Sequence, residues 1–328
     1  MTSPRYVEIS KSVRNILRPF SATSIVRECL FDLWTGAAQA DPRKRLEATP
    51  WLTLLVAKIV LRDKQTNLHS GMICPAAILQ RCRQMLWDAA PNKRSSGSSA
   101  GPLLMVRSWS YQQLAFQQKM DWTFLRWPAL FAELAPGHPS RIHFLSSIGM
   151  EPEVFASLAW ATYTPSLHGQ NVVTYADLEP TRPAFGPAIE RFIELVSNDL
   201  EGIRSALREQ YINGSGMENE QFELPWMHKF PLLRVSHNRF AIWHPLVLAR
   251  GLESAIHRCL TELGQTYAAN FSKVFEAHVL SLIRESGLTV ITDRAFKQLG
   301  NKSFAAVDAI LETQDANVFI EVKMSPFS

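Results

Sequence analysis

AVDAILETQDANVFIEVK, residues 306–323, is the stretch on which the reading of this chain turns. Val307, Ala309 and Leu311 alternate with Asp308, Ile310 and Glu312, the period-two pattern of a strand. Thr313-Gln314-Asp315-Ala316 is turn-forming. Asn317 to Lys323 alternates again, with Val318, Ile320 and Val322 on one face and Phe319, Glu321 and Lys323 on the other. A hairpin through the turn sets the two apolar faces side by side, ready to pack on a helix. It brings Asp308 close to Glu321 and Lys323 on the opposite face.

Two carboxylates on one strand face disfavour double ionisation unless a cation lies between them. Mg²⁺ takes oxygen ligands and uses only one or two protein carboxylates, with water and substrate phosphate filling the other positions; Mn²⁺ can substitute. A lysine beside them can hold a water or stabilise charge building on phosphorus. The grouping therefore suits metal-assisted phosphodiester hydrolysis. The plainer alternative is a solvated strand face with cross-strand charge pairs.

Asp308, followed after a turn by Glu321-Val322-Lys323, resembles the PD-(D/E)xK nuclease superfamily, the restriction-endonuclease-like fold. That family has an Asp on one strand, (Asp/Glu)-x-Lys on the next, and in many members a Glu on the preceding helix. Glu276, in Val274-Phe275-Glu276-Ala277, occupies that helix position. Val307 stands where the motif has Pro. The resemblance covers residues 265–328. It implies an α/β core with a mixed sheet, Asp308, Glu321 and Glu276 as metal ligands, and Lys323 positioning the attacking water. The implied activity is Mg²⁺-dependent cleavage of nucleic acid, taken as DNA, in a role such as prokaryotic defence. The family core continues past its ExK strand with a helix and another strand, so the 317–323 strand is expected to be covered by sequence beyond Ser328 or by another chain. A catalytically idle nuclease-fold module carried by a helical interaction scaffold is the alternative.

Working outward, the preceding segment also reads as one unit. Phe271, Val274, Phe275, His278, Val279, Leu282 and Ile283 form a helical stripe, Gly287 stops it, and residues 288–292 read as a strand. Upstream, residues 231–235 and 239–243 read as a hairpin around Ser236-His237-Asn238, and Pro245 closes it before a helix over 246–263. The earlier sequence is helical. Thr49-Pro50 opens a helix with Trp51, Leu54, Leu55 and Ile59 on its stripe. Cys74-Pro75 opens another, with Ile78, Leu79, Cys82, Met85 and Leu86 inward. Ile189, Phe192, Ile193, Val196, Leu200, Ile203 and Leu207 predict one continuous helix of about five turns from Pro187. The expected class is thus α+β: helices over 1–220 that bind substrate or a partner, a hairpin-and-helix connector over 221–264, and the nuclease-like core over 265–328.

Composition sets the frame. The 328 residues are 46% hydrophobic, with 34 Lys and Arg against 30 Asp and Glu. That excludes a fibrous or largely disordered chain. No apolar run approaches the roughly 20 residues of a spanning helix, and the N-terminus, with Arg5, Glu8, Lys11 and Arg14, has no signal-peptide core. A cytoplasmic protein, with no membrane partner, is expected. Cys29, Cys74, Cys82 and Cys259 form no CxxC pair and read as buried thiols. His228, His237 and His244 match no metal spacing. Residues 81–130 hold seven Lys and Arg against Asp88 and Asp121, which marks Arg81, Lys93 and Arg94 as candidates for phosphate contacts. Trp109, Trp122 and Trp127 lie in this stretch and read as helix core. A protein partner or a second copy would dock through the helical region.

Overall fold

The computed structural model describes residues 4–41, 43–44, 48–89, 123–132, 134–210, 226–261, 264–285, 287–292, 295, 307–313 and 315–322. In chain order its principal elements are α1 (Pro4–Leu17), α2 (Ala22–Ala37), α3 (Pro50–Arg62), α4 (Ala76–Ala89), α5 (Arg126–Phe131), α6 (Pro139–Ile148) and α7 (Pro152–Leu167). There follow β1 (Val172–Thr174), α8 (Ala188–Val196), β2 (Ser197–Asn198), α9 (Leu200–Gln210), β3 (Leu232–Ser236), β4 (Arg239–Ile242), α10 (Pro245–Thr261), α11 (Gln265–Glu285), β5 (Thr289–Thr292), β6 (Ala309–Glu312) and β7 (Asn317–Ile320). The class is mixed α and β, mostly helical. Among the described residues no helix is long and apolar enough to cross a membrane.

Two compact units divide the chain: Met1–Phe124 with Ser157–Ala255, and Leu125–Ala156 with Ile256–Ser328. This division cuts across the three linear segments expected from sequence. The 232–242 hairpin joins the first unit because β4 pairs with β1 and β3 pairs with β2. The first unit therefore carries a mixed four-stranded sheet, in the order β1-β4-β3-β2. Its β2–β3 pairing is parallel and the others are antiparallel.

At the centre of the first unit lies α3. All thirteen of its residues are buried, Thr53, Lys58 and Arg62 included. A helix apolar nearly all round belongs in a core, so the stripe read from Trp51 to Ile59 understates its burial. Helices α1, α2, α4 and α9 pack around it. Its start also differs from expectation. Thr49 makes no side-chain cap and sits in the left-handed region at φ 43°. Instead, the Thr49 hydroxyl accepts a 2.7 Å hydrogen bond from Arg83 Nη2. That guanidinium also donates from Nη1 to Asp32 Oδ1 at 2.8 Å, while Thr53 Oγ1 donates to Asp32 Oδ2 at 2.6 Å.

The continuous helix expected from Pro187 is broken into α8 and α9. Ser197 leaves the helix in an extended conformation and pairs with Leu232. Asp199 Oδ1 then accepts the Gly202 amide at 2.7 Å and starts α9 afresh. The stripe stays in register across the break because both helices bury the same side: Phe192, Ile193, Val196, Ile203 and Leu207 are all buried. His244 is likewise local structure, its Nδ1 accepting the Leu246 amide at the start of α10. All four cysteines are free, and Cys29, Cys74 and Cys82 are buried. Burial pushes the Cys74 thiol up to about 11 and Cys82 to about 12.

Helix α10 meets the segment before β3 closely at Gly251. A methyl group there would fall 2.5 Å from Pro231 Cβ and 2.8 Å from the His228 carbonyl oxygen. The proline ring cannot rotate away. Gly251→Ala should therefore cost about 1–3 kcal/mol of stability despite the better helix propensity of Ala. Urea denaturation checks this; a neutral or stabilising substitution would contradict it.

In the second unit α11 is anchored through its N-terminal half. Phe271 and Val274 are buried, whereas Leu282 is exposed, so the apolar stripe fades toward the sheet end. Trp127 and Phe131 of α5, Phe144 of α6, and His257, Tyr267 and Phe271 form one aromatic cluster, with Trp127–His257 ring centroids 4.8 Å apart and Phe131–Phe144 4.9 Å. Trp127 is core, as its sequence context indicates.

Candidate functional site

Within the stretch expected to form a hairpin, residues 309–312 and 317–320 pair. Ala309 pairs with Ile320, Ile310 with Phe319, Leu311 with Val318 and Glu312 with Asn317, all antiparallel. Its turn is pinned by Thr313, whose hydroxyl donates to the Ala316 carbonyl at 2.7 Å and accepts the Ala316 amide at 3.0 Å. On the other side β5 pairs antiparallel with β6, so the sheet order is β5-β6-β7. Among the described residues this sheet is purely antiparallel, not the mixed sheet expected for residues 265–328. The reason is local: β6 and β7 are joined by a tight turn, and parallel pairing needs a long crossover.

The ladder ends at the Ala309–Ile320 pair, and Asp308 and Glu321 are the next residues beyond it on the two segments. The Asp308 carboxylate is also oriented, because its Oδ2 accepts a hydrogen bond from the Val322 amide. Asp308 is half-buried and Glu321 exposed. The strand thus presents one fixed carboxylate and one solvent-facing carboxylate at the end of the hairpin. A carboxylate has about four acceptor positions, so the Val322 amide leaves Asp308 with capacity for a further hard donor–acceptor contact. Two oxygen-donor side chains of this kind fit Mg²⁺ or Mn²⁺.

The third expected ligand stands apart from this pair. Glu276 is half-buried on α11. Among the described residues no three His, Cys, Asp or Glu side chains form a group that could hold a metal ion, so Glu276 does not complete a three-carboxylate cluster with Asp308 and Glu321. Lys323, Lys93 and Arg94 lie outside the described residues, as do Trp109 and Trp122. Arg81 is exposed on α4, two residues from the buried Arg83. Among the described residues of the hairpin, Ala309 and Ile310 are the buried ones; Val318 and Phe319 are exposed, 45% and 64%. The apolar face expected on β7 is therefore not packed as the alternation suggests.

Sequence reading missed His257. It lies between Trp127 and Phe271, with Nδ1 3.1 Å from the Tyr267 hydroxyl. Burial, helped by the nearby Arg126 charge, lowers its pKa to about 4, well under the ordinary 6.5. The unfolded chain therefore binds a proton here between about pH 6.5 and 4 that the folded chain refuses, and stability falls as pH drops through that window. Complete titration would remove about 3 kcal/mol. In urea titrations at pH 7 and pH 4.5, His257→Gln should show the smaller loss of stability on acidification. An equal loss in the variant would mean that His257 is not the group responsible.

Compared with known proteins, the chain matches no protein-family model, and no curated protein and no solved structure is significantly similar to it.

Proposed function

We propose that the second unit is a Mg²⁺-dependent nuclease centre that hydrolyses phosphodiester bonds of nucleic acid, with DNA as the substrate. The observation that supports this reading is the Val322 amide that orients the Asp308 carboxylate at the end of the β6–β7 ladder, where Glu321 follows the paired Ile320. Asp308 and Glu321 would hold the cation. When bound, it would polarise the scissile phosphate and acidify a water. Lys323, two residues after Glu321 in the sequence, would hold that water and balance charge on phosphorus. Glu276 would act from α11 as an outer ligand. The first unit would select the substrate or recruit a partner chain. Prokaryotic defence against foreign DNA is the setting that fold-level analogy suggests.

A second reading is a catalytically idle binding module. It is favoured by the failure of Glu276, Asp308 and Glu321 to form one group among the described residues. A cleavage assay decides between the two. The full chain is incubated with duplex DNA, single-stranded DNA and RNA in Mg²⁺, Mn²⁺ and EDTA. Metal-dependent cleavage that is lost in EDTA supports the nuclease. Binding without cleavage under all metal conditions supports the idle module.

A further inference from the structure

Basic side chains converge on a single residue of the first unit, away from the stretch that sequence alone marks. Asp63 caps the C-terminus of α3. Arg18, just past α1, donates to its carboxylate from Nε at 3.0 Å and from Nη2 at 3.3 Å. Arg204 and Arg208, one turn apart on α9, both donate to its backbone carbonyl at 3.1 Å, and Arg204 also reaches the Thr66 carbonyl at 2.7 Å. Part of this is ordinary: cations belong at a helix C-terminus. The accumulation exceeds that need. Lys11, Arg14 and Arg18 form one stripe on and just beyond α1, at spacings of three and four, and Lys64 adjoins Asp63. The side chains of Lys11, Arg14 and Lys64 make no hydrogen bond or ion pair among the described residues. The Nε atoms of Arg14, Arg204 and Arg208 are buried without a partner there. Glu8, Glu201 and Glu209 are the acidic neighbours on the same helices.

Electrostatics point the same way. Burial, then the charge of Arg208, pushes the Arg204 pKa below the ordinary arginine value. Burial would raise the Asp63 carboxyl, but hydrogen bonds from Arg18 and Thr66 hold it below the usual range. The Asp63 carboxylate is thus a committed anion already held by Arg18 and Thr66, while Arg204 and Arg208 are held only by backbone carbonyls, and Lys11 and Lys64 face solvent. The surplus is also regional. The first unit's sequence holds 25 Lys and Arg against 19 Asp and Glu, and the second holds 9 against 11.

We infer that the end of α3, where Arg18 and Arg208 hold Asp63 and Lys64 adjoins it, together with the Lys11–Arg14–Arg18 stripe of α1, is a phosphate-binding surface that tracks a nucleic-acid backbone, with the buried Arg204 supporting it from below. Guanidinium forks suit phosphate oxygens bidentately, and unpaired lysines at the rim suit counterion release. The choice of nucleic acid as the polyanion rests on the nuclease reading; the surface itself does not.

Binding of a duplex DNA probe to the full chain, followed by fluorescence anisotropy in EDTA across a salt series, tests this without cleavage. The variant Lys11→Gln, Arg14→Gln, Lys64→Gln removes side chains that hold nothing within the described structure, so its fold should survive. Its log K against log salt slope should flatten by about one unit per lost phosphate contact, about three in all. The pair Arg43→Gln, Lys44→Gln, exposed elsewhere in the first unit, should keep the wild-type slope. On the wild-type protein, bound DNA should shield Lys11 and Lys64 from acetylation. An unchanged slope, unshielded lysines, or tighter binding to phosphatidylserine vesicles than to DNA would overturn the inference. Flattened slope with no Mg²⁺-dependent cleavage would leave this surface standing and remove the nuclease reading; cleavage with an unchanged slope would do the reverse.

Discussion

Arg83→Ala is expected to destabilise the first unit by about 3–5 kcal/mol, the range for removing one partner of a buried ion pair. The Arg83 and Asp32 side chains are 9% and 15% exposed. Without the guanidinium, Asp32 keeps the Thr53 and Gln80 hydrogen bonds but loses its counter-charge. The Ala48 carbonyl and Thr49 hydroxyl lose their donor at the point where Thr49 holds a left-handed conformation. Such a residue persists only when its surroundings fix it, so α3 should also lose its fixed starting point. Guanidinium denaturation of Arg83→Ala, Asp32→Ala and the double variant measures this. Each single change should be large and the double change much less than additive, because the second truncation removes an orphaned charge. Additive losses, or a single-variant loss below about 1 kcal/mol, would show that the network is peripheral to stability.

The second large effect is expected at the hairpin. Asp308→Ala and Glu321→Ala should each lower the rate of Mg²⁺-dependent DNA cleavage by about a hundredfold or more, as loss of a group that organises transition-state charge does. Each should also weaken Mn²⁺ binding by at least about tenfold, a loss seen even for outer partners of metal ligands. Their thermal midpoints should stay close to wild type, since Glu321 is exposed and Asp308 makes one hydrogen bond to the neighbouring strand. Lys323→Ala should lose cleavage while retaining metal and DNA binding. Calorimetry with Mn²⁺ that finds the same affinity in both carboxylate variants would remove the shared site.

The hairpin of β6 and β7 was readable because it depends on local rules. Alternation marks the two strands, and the Thr313–Ala316 turn sets their register. Asp308 and Glu321 lie just past the paired residues, where alternation no longer fixes which way a side chain faces. Glu276 was legible as a helix position only. Whether a helix residue reaches a strand edge depends on the angle and height at which the helix packs, and spacing within α11 carries no information about either. The fading burial from Phe271 to Leu282 is the same point seen along one helix.

The break between α8 and α9 divides along similar lines. Asp199 and Gly202 carry a helix-start signal in the sequence, but the apolar stripe runs through it undisturbed. The deciding interaction is the pairing of Ser197 with Leu232, thirty-five residues on. The Asp63 cluster is the extreme case. Its members, Arg18, Asp63, Arg204 and Arg208, come from three distant stretches, and nothing in any one of those stretches marks it.

By itself, the sequence determined most of the helical segments and the two hairpins, because propensity, alternation and turn chemistry act over a few residues. Only the tertiary structure decided that the helix from Pro187 breaks at Ser197, that α3 is buried on every side, that the mixed sheet belongs to the first unit, and that Arg18, Arg204 and Arg208 meet at Asp63. Those outcomes depend on which surfaces meet, and that is set by the free energy of burying whole faces against one another.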